Sequence, residues 1–211
     1  MQPIVKDETT KDRVYKQLKE AFLRGEISPN DIFTEAKLAE LLNTSRTPVR
    51  EAVLDLLKEG LVVAIPRKGL QVRTLTLIEQ EQILLLRRSI EIDVIQKVAS
   101  NITDDQILIL KNIADKQFEC INSLDNLTFI DLDQRFHLSL VQFLDFNLIE
   151  QVLLNLHELT RLVGLKALKK PGRMEEVIEE HKRIIAALET KNTELAGKYM
   201  GEHLYATWGS L

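Results

Sequence analysis

Two arginines lie four residues apart at the start of a segment whose apolar residues recur at helical spacing, SRTPVREAVLDLLKEGLV. This segment predicts a helix with a polar, cationic first turn. Such a turn fits the major groove of DNA, where the guanidiniums of Arg46 and Arg50 can reach guanine edges or phosphates. Ser45 is expected to cap the helix and touch phosphate, as Thr47 can, and Pro48 suits a first turn because it lacks an N–H. The alternative is an ordinary solvated helix start whose charged residues form surface pairs.

A second group of residues could bind a metal. Histidine occurs four times, and His137, His181 and His203 fall on the apolar faces of three different predicted helices. Asp133 precedes His137 by four residues and therefore shares its helix face. A carboxylate on a core-facing stripe is costly unless paired or coordinated, and one carboxylate with several imidazoles suits a divalent transition metal such as Zn, Ni or Mn. Alternatively each histidine is a hydrogen-bonded core residue, or the metal only joins the helices. The fourth histidine, His157, is expected to line a pocket or lie on the surface.

The elements that must position the two arginines lie in residues 1–75. Helices are predicted over about 10–24 and over TEAKLAELL, and the arginine-bearing third helix ends at Gly60. The segments LVVAI and LQVRTL flank the turn PRKG and predict a β-hairpin with Lys68 and Gly69 at its tip. Three helices and a hairpin make a winged helix-turn-helix. The wing tip is expected near the minor groove or the DNA backbone, where glycine permits close approach.

From Thr76 onward the chain carries no strand signal and predicts only helices. Six are expected, over about 76–100, 103–123, 127–144, 147–168, 172–190 and 192–208. The fold class is therefore mainly α, with a winged helix-turn-helix DNA-binding domain at 1–75 and an all-helical bundle at 76–211. A chain of 211 residues is long enough for two such domains to bury a core each.

Composition and charge agree with this division. Lys and Arg outnumber Asp and Glu by 13 to 11 in residues 1–75 and are outnumbered by 15 to 21 in the remainder, which suits a DNA-binding head on an acidic body. Cys120 is the only cysteine, which excludes an intrachain disulfide and a thiolate cluster and favours a reducing cytosol. The start, MQPIVKDETT, lacks the apolar core of a signal peptide, and no apolar run approaches the ~20 residues of a membrane helix. We therefore expect a soluble cytoplasmic protein with no membrane partner.

The chain resembles the GntR family of bacterial transcription regulators over nearly its whole length. In the N-terminal part the resemblance is carried by ELL-x-x-SRTPVREAVLDLLKEGLV followed by PRKG. The C-terminal part is similar to the all-helical FCD effector domain of the FadR-type branch through LRRSIE, D-x-x-F-H, EEH and M-x-x-H, and six helices indicate the shorter, VanR-like variety. Asn30 and Ala36 stand where many members carry Gly and Arg, so one expected DNA contact is absent.

The resemblance implies a homodimer whose winged heads grip a short palindromic operator in double-stranded DNA. It also implies a small organic acid that binds the helical domain and alters this grip. Metal-binding FCD members carry their ligands at the motif positions occupied here by Asp133, His137, His181 and His203. His157 matches no ligand position. Arg87 matches the arginine of the family's first effector-domain helix and is the expected partner of the effector carboxylate, with Arg161 as a second candidate.

These features together predict a transcriptional regulator, in the mode of a repressor that a small carboxylate releases from DNA. Two alternatives stay open: a regulator for which the metal itself is the signal, and a hydrolase whose metal activates water. Nothing else favours an enzyme, because the chain shows no Ser-His arrangement or glycine-rich phosphate loop, and the pair Glu179–Glu180 is interpreted as helix surface. The chain is therefore predicted not to be an enzyme.

Overall fold

A computed structural model describes residues 8–209 of the chain. These residues form nine helices and three short strands, and they divide between Thr74 and Leu75 into two compact units, which we call the head and the helical unit. The prediction drawn from the first ten residues falls mostly outside the described range. None of the described helices combines the length and the apolar character that crossing a membrane requires.

The head contains the three predicted helices and the predicted hairpin. In chain order its elements are α1 (Thr10–Arg24), β1 (Ile32–Phe33), α2 (Glu35–Leu41), α3 (Arg46–Lys58), β2 (Val62–Ile65) and β3 (Gly69–Val72). The strand β1 is an addition to the sequence-based prediction, because a two-residue strand is too short to show an alternating pattern. It pairs antiparallel with β3, so the sheet order is β1-β3-β2.

The helix α3 turns one face into the core of the head and leaves its first turn in solvent. Its buried residues are Val49, Ala52, Val53 and Leu56, and α1 supplies Val14, Leu18 and Phe22 to the same unit. Ser45 occupies the N-cap position, as predicted, but its side chain makes no capping hydrogen bond, so that part of the prediction is wrong. The reason is local: a capping side chain bonds the N–H of the second or third helical residue, and the third is Pro48, which has none.

Gly69 is the first residue of β3 and pairs with Ile65, so the hairpin tip consists of residues 66–68 and the predicted place of Gly69 at the tip is one residue off. Its φ is +140°, and a Cβ on Gly69 would lie 2.4 Å from the carbonyl oxygen of Phe33 in β1. The absence of a side chain therefore lets β1 approach β3.

We expect Gly69→Ala to lower the free energy of unfolding of the head by about 3 kcal/mol, because it adds both backbone strain and a clash with a neighbouring strand. Gly25→Ala is the matched control, since Gly25 also has a positive φ, of 74°, but a Cβ there meets no atom within 4 Å. That change should cost about 1 kcal/mol. Urea unfolding followed by circular dichroism measures both, and equal losses would contradict the close approach.

The helical unit consists of six helices, as predicted, and each predicted end lies within two residues of the observed one. The helices are α4 (Leu77–Asn101), α5 (Asp104–Ser123), α6 (Asn126–Gln142), α7 (Asn147–Ala167), α8 (Arg173–Glu189) and α9 (Thr193–Trp208). Capping explains the accuracy of several starts: Thr76 and Thr103 each form a capping box with the Glu or Gln three residues later. The core of the unit is aliphatic, with few aromatic side chains.

Polar side chains lie inside this aliphatic core. Ten polar or charged residues of the helical unit are buried, among them four histidines, two arginines and a glutamate. Buried polar groups are costly unless they are paired or bind a ligand. Their positions therefore locate the candidate site of the unit.

Candidate metal centre and nucleic-acid interface

Four side chains from three helices converge inside the helical unit. Asp133 and His137 lie on one face of α6, His181 lies on α8 and His203 on α9. One ligand atom from each lies within 4.8 Å of the others. The three imidazoles are buried, and Asp133 is half-buried. The sequence predicted these four residues as one ligand set, and the structure brings all four together.

Each of the three imidazoles directs its Nε2 atom toward the space between the four side chains. The Nε2 atom of His137 lies 3.1 Å from Nε2 of His203 and 3.9 Å from the carboxylate of Asp133. The Nε2 atom of His181 lies 3.5 Å from the other oxygen of Asp133. Three ring nitrogens and one carboxylate therefore surround a common space.

The other ring nitrogen, Nδ1, contacts a different side-chain oxygen in each of the three histidines. Nδ1 of His137 lies 2.5 Å from Glu91 on α4. Nδ1 of His181 lies 2.8 Å from Gln117 on α5, and Nδ1 of His203 lies 2.7 Å from Glu180 on α8. The contact of His137 with Glu91 is short but is not a regular hydrogen bond. A ring that donates its Nδ1–H to an outer acceptor, as His181 does to the amide oxygen of Gln117 and His203 to the carboxylate of Glu180, presents the lone pair of Nε2 inward.

This arrangement of lone pairs fits a divalent metal. Nitrogens as close as Nε2 of His137 and Nε2 of His203, 3.1 Å apart, either share a proton or both face a cation, and Nε2 of His181 is buried without a hydrogen-bond partner among the described residues. Three imidazole nitrogens with one carboxylate form a ligand set that Zn, Ni and Mn accept. The four residues therefore have the ligand chemistry and the convergence of a metal centre, with three of the four buried.

Both outer carboxylates are held in the ionised form. Burial by itself would raise the pKa of Glu91, but Arg87 and His137 together outweigh it and hold that pKa well below its ordinary value. Burial also opposes ionisation of Glu180, and its hydrogen bonds to His203 and Arg173 lower its pKa in the same way. The site thus contains two ionised carboxylates besides Asp133, of which Glu91 is buried and Glu180 half-buried.

Three of the four buried histidines, namely His157, His181 and His203, favour the neutral form. Burial is the main cause that lowers the pKa of His181 and of His157 well below 6.5, and it also lowers the pKa of His203 although Glu180 opposes the shift. In the unfolded chain these groups take up protons at their ordinary pKa, and in the folded protein only at lower pH. Their contribution to stability is therefore complete above about pH 6.5 and is lost as the pH falls through the lower, folded-state pKa values.

The metal-free protein should accordingly become less stable as the pH falls from about 7 to about 5, by at most about 1.4 kcal/mol per pH unit for each such histidine. The ordinary pKa of carboxyl groups lies below this range, so they contribute little to the slope. Urea unfolding in the presence of a chelator, followed by fluorescence of Trp208, the single tryptophan, gives the free energy at each pH. A free energy that is constant over this range would contradict burial of these histidines in the neutral form.

A small cavity borders the four ligands. Asp133 lines it together with side chains from α4, α7, α8 and α9, among them Arg87, Thr160, Arg173 and Trp208. The cavity has room for about two water molecules. A carboxylate that entered it would meet a candidate metal ligand and two guanidiniums.

Both guanidiniums of the cavity are buried and hold a carboxylate. Arg87 contacts Glu91 through Nε at 2.5 Å and Nη2 at 3.3 Å. Arg173 is 1% exposed and contacts Glu180 through both terminal nitrogens, at 2.6 and 3.0 Å, while its Nε has no partner among the described residues. Sequence reasoning missed Arg173. The available signal was its spacing of seven residues from Glu180, which places both on one face of α8.

Two interpretations of the sequence are wrong at this site. Glu180 is not helix surface: its side chain is 18% exposed and contacts His203, whereas Glu179 is 67% exposed and pairs with Lys182. Adjacent helix residues point about 100° apart, so the pair could not share one environment. His157 lies outside the four-ligand cluster, as expected, but it is not on the surface, since it is 1% exposed, and it does not line this cavity.

The second candidate for the effector carboxylate lies elsewhere. Arg161 is paired with Asp131 and Glu158 and is absent from the lining of this cavity. The neighbour of Arg87, Arg88, is exposed and points away from the site. Within the cavity, Arg87 and Arg173 are therefore the two cationic side chains that border the candidate metal centre.

The residues predicted to contact DNA lie on the surface of the head. Arg46 and Arg50 are exposed in the first and second turns of α3, Ser45 and Thr47 are exposed beside them, and Lys68 is exposed in the hairpin turn. Across residues 8–209 neither Arg46 nor Arg50 has an ion-pair partner, which disfavours the alternative in which these arginines form surface pairs. The first two turns of α3 thus offer two guanidiniums without an ion-pair partner among the described residues, near the helix N-terminus, an arrangement that attracts phosphate.

Comparison with known proteins assigns each of the two units to a family. Residues 10–72 match the family of bacterial regulatory proteins called the gntR family, and residues 82–206 match the FCD domain. The chain is 28% identical over 190 residues to the HTH-type transcriptional regulator YdhC of Bacillus subtilis, which covers 90% of this chain and 85% of that protein. It is 27% identical over 192 residues to the HTH-type transcriptional repressor RspR of Escherichia coli, covering 91% and 84%.

A solved structure shares the fold. McbR/YncC of Escherichia coli superposes with a TM-score of 0.77 at 21% identity and covers 95% of this chain and 96% of that one. The matching families and relatives are transcriptional regulators rather than enzymes. With the winged helix-turn-helix, the helical unit and the two matches that cover most of its length, the chain belongs to the GntR family of bacterial regulatory proteins, carries an FCD domain and is a DNA-binding transcriptional regulator.

Proposed function

We propose that this regulator is a cytoplasmic repressor whose operator binding is controlled by a small carboxylate bound at a metal in the helical unit. One observation carries the proposal: a convergent set of four ligand side chains borders a small cavity that contains two guanidiniums. Asp133 belongs to both the ligand set and the cavity lining, so a molecule in the cavity is adjacent to the metal centre. The relative RspR is named a repressor, which supports repression as the mode.

On the DNA side, Arg46, Thr47 and Arg50 contact bases or phosphates in the major groove. Their exposure on the first turns of a helix whose other face is buried supports this assignment. Ser45 contacts phosphate, since its hydroxyl is not used in capping, and Pro48 shapes the turn.

The wing is proposed to contact the same duplex. Lys68 lies in the exposed hairpin turn and reaches the DNA backbone or minor groove, and Gly69 follows it at the start of β3. One head reads too few base pairs for useful specificity, so we propose a homodimer that binds the two halves of a palindromic operator.

In the helical unit, Asp133, His137, His181 and His203 would hold Zn, Ni or Mn. The bound metal would supply positive charge and an open coordination position for a carboxylate oxygen. Arg87, buried in the cavity lining, is the proposed second contact of that carboxylate, and Arg161 is the weaker candidate because it lies outside the lining. To change DNA affinity, the acid must bind two arrangements of the protein with different affinity.

A second candidate is a regulator for which the metal itself is the signal. Three of the four ligands are buried, and both guanidiniums of the cavity already hold carboxylates, so the site is close to complete without an organic acid. In that case chelation alone would abolish operator binding reversibly, with no acid present.

The test is a fluorescence anisotropy titration of metal-replete protein against labelled DNA from upstream of its own gene. Scrambled DNA of the same length is the control, and a salt series separates specific from electrostatic binding. A panel of small mono- and dicarboxylates is then added to the specific complex. Release by one acid supports the carboxylate-controlled repressor, loss on chelation alone supports the metal sensor, and an unchanged complex under both treatments contradicts control through this site.

A further inference from the structure

Two chains of side chains run from the cavity to the candidate metal centre. In one, Arg87 holds Glu91 and Glu91 contacts Nδ1 of His137. In the other, Arg173 holds Glu180, which contacts Nδ1 of His203 at 2.7 Å. Each chain has the order arginine, glutamate, histidine. Nothing in the four-ligand set itself requires these additional ionised groups in the core.

The third histidine lacks such a chain. Nδ1 of His181 meets the neutral amide oxygen of Gln117, which is fully buried and whose Nε2 has no partner among the described residues. The three rings are therefore oriented by two anions and one amide. Since a carboxylate polarises an imidazole more strongly than an amide does, the two glutamates make the Nε2 atoms of their partners better metal donors.

We propose that Glu91 and Glu180 are positioning residues for the metal centre, each anchored by its arginine, and that they set its affinity and coordination geometry. They do not touch the metal; each fixes a ring and its tautomer so that Nε2 faces inward. Arg87 and Arg173 compensate the cost of burying the two carboxylates and restrict each to one orientation. This inference rests on the proposed metal centre.

Glu180 gives the sharpest test because its two oxygens have defined tasks. One oxygen accepts from Arg173 at 2.6 Å, and the other accepts from Arg173 at 3.0 Å and from His203 at 2.7 Å. Glutamine in this place has a single acceptor oxygen, so its NH₂ group must face either a guanidinium donor or the Nδ1–H of His203. Glu180→Gln therefore preserves volume and breaks the chain of contacts.

Glu176→Gln is the matched control. Glu176 lies on the same helix and contacts the same guanidinium, at 3.2 Å, but its side chain is 47% exposed and contacts Lys170 rather than a histidine. Both variants remove one negative charge near Arg173. Only one of them removes the anion that orients a metal ligand.

The experiment measures Zn²⁺ affinity of the full chain by competition with a chromophoric chelator, and the visible absorption of the Co²⁺-loaded protein. Glu180→Gln is expected to weaken Zn²⁺ binding about 10- to 100-fold and to shift the Co²⁺ bands, whereas Glu176→Gln stays within about twofold of the wild type with unchanged bands. Circular dichroism of the metal-free variants reports whether they fold. Glu91→Gln repeats the measurement on the other chain and replaces Glu180→Gln if that variant does not fold.

Equal Zn²⁺ affinity and equal Co²⁺ bands in Glu180→Gln and Glu176→Gln would overturn the inference and leave the metal centre standing. A wild-type protein that takes up neither ion would instead remove the metal centre, and with it the metal-dependent part of the proposed function. The two failures are therefore distinct.

Discussion

Replacing His181 with alanine is expected to weaken divalent metal binding by more than about 100-fold, because second-sphere losses alone cost 10- to 100-fold and this change removes a ligand. His181 is fully buried, and its Nε2 faces Asp133 without a hydrogen-bond partner among the described residues. At a metal concentration 100 times the dissociation constant, the wild type gains about 2.7 kcal/mol of stability. A 100-fold weaker variant gains only about 0.4 kcal/mol at the same concentration.

His157→Ala is the matched control for that prediction. His157 is another buried histidine of the same unit, 1% exposed, with its ring centre 6.0 Å from that of His137, but it is not one of the four convergent ligands. Both substitutions leave a cavity in the core and lower the stability of the metal-free protein. The difference between urea unfolding with and without Zn²⁺ isolates the metal contribution. If His181→Ala kept the metal-induced stabilisation shown by His157→Ala, the ligand set would be wrong.

The four candidate ligands were predictable because their signal is local. Asp133 and His137 are spaced four apart, and each histidine sits on a stripe of apolar residues that faces a core. The same local patterns, with capping threonines at 76 and 103, gave the helices of this unit. Helix bounds and the positions of ligands on a helix face depend on one helix and its caps, so they could be predicted from the sequence.

The groups that hold those ligands were not predictable, because they depend on how helices pack against each other. Glu91, Gln117 and Glu180 contact histidines that are 46, 64 and 23 residues away in the sequence, and no spacing rule relates them. Glu180 even lies in an acidic pair that is typical of a solvated helix face. Its burial follows from α9 lying beside α8, which a single sequence does not reveal.

In the head, by contrast, two predictions failed although the residues concerned are close in sequence or form a very short element. Ser45 has the residue type and the position of an N-cap, yet Pro48 removes the N–H that the cap would bond. The strand β1 escaped prediction because its two residues form a strand only through pairing with β3. Glycine at position 69 was predicted to permit close approach to DNA, but it is also required by the fold, because a Cβ there would clash with the carbonyl oxygen of Phe33.

The exposed Ser45 hydroxyl and the two arginines lead to the last prediction, that Arg50→Ala weakens operator binding by about 1–3 kcal/mol, or about 5- to 150-fold. The truncation leaves the fold intact, because Arg50 is exposed while its neighbour Val49 makes the core contact. Lys68→Glu is the comparison: it changes an exposed wing residue that is assigned to the backbone, so it should weaken binding to all sequences alike and reduce the salt slope by about 1 or more.

Anisotropy titrations on the DNA that the protein selects from a random pool, and on scrambled DNA, distinguish these effects. A base contact is lost only where the base is present, so Arg50→Ala should reduce the ratio of specific to scrambled affinity, and Lys68→Glu should leave that ratio nearly unchanged. If Arg50→Ala weakened binding to all DNA equally and left the ratio of specific to scrambled affinity unchanged, Arg50 would be a phosphate contact. Unchanged affinity would mean that α3 does not read the operator, because an exposed guanidinium without an ion-pair partner on the reading face must contribute to binding a polyanion.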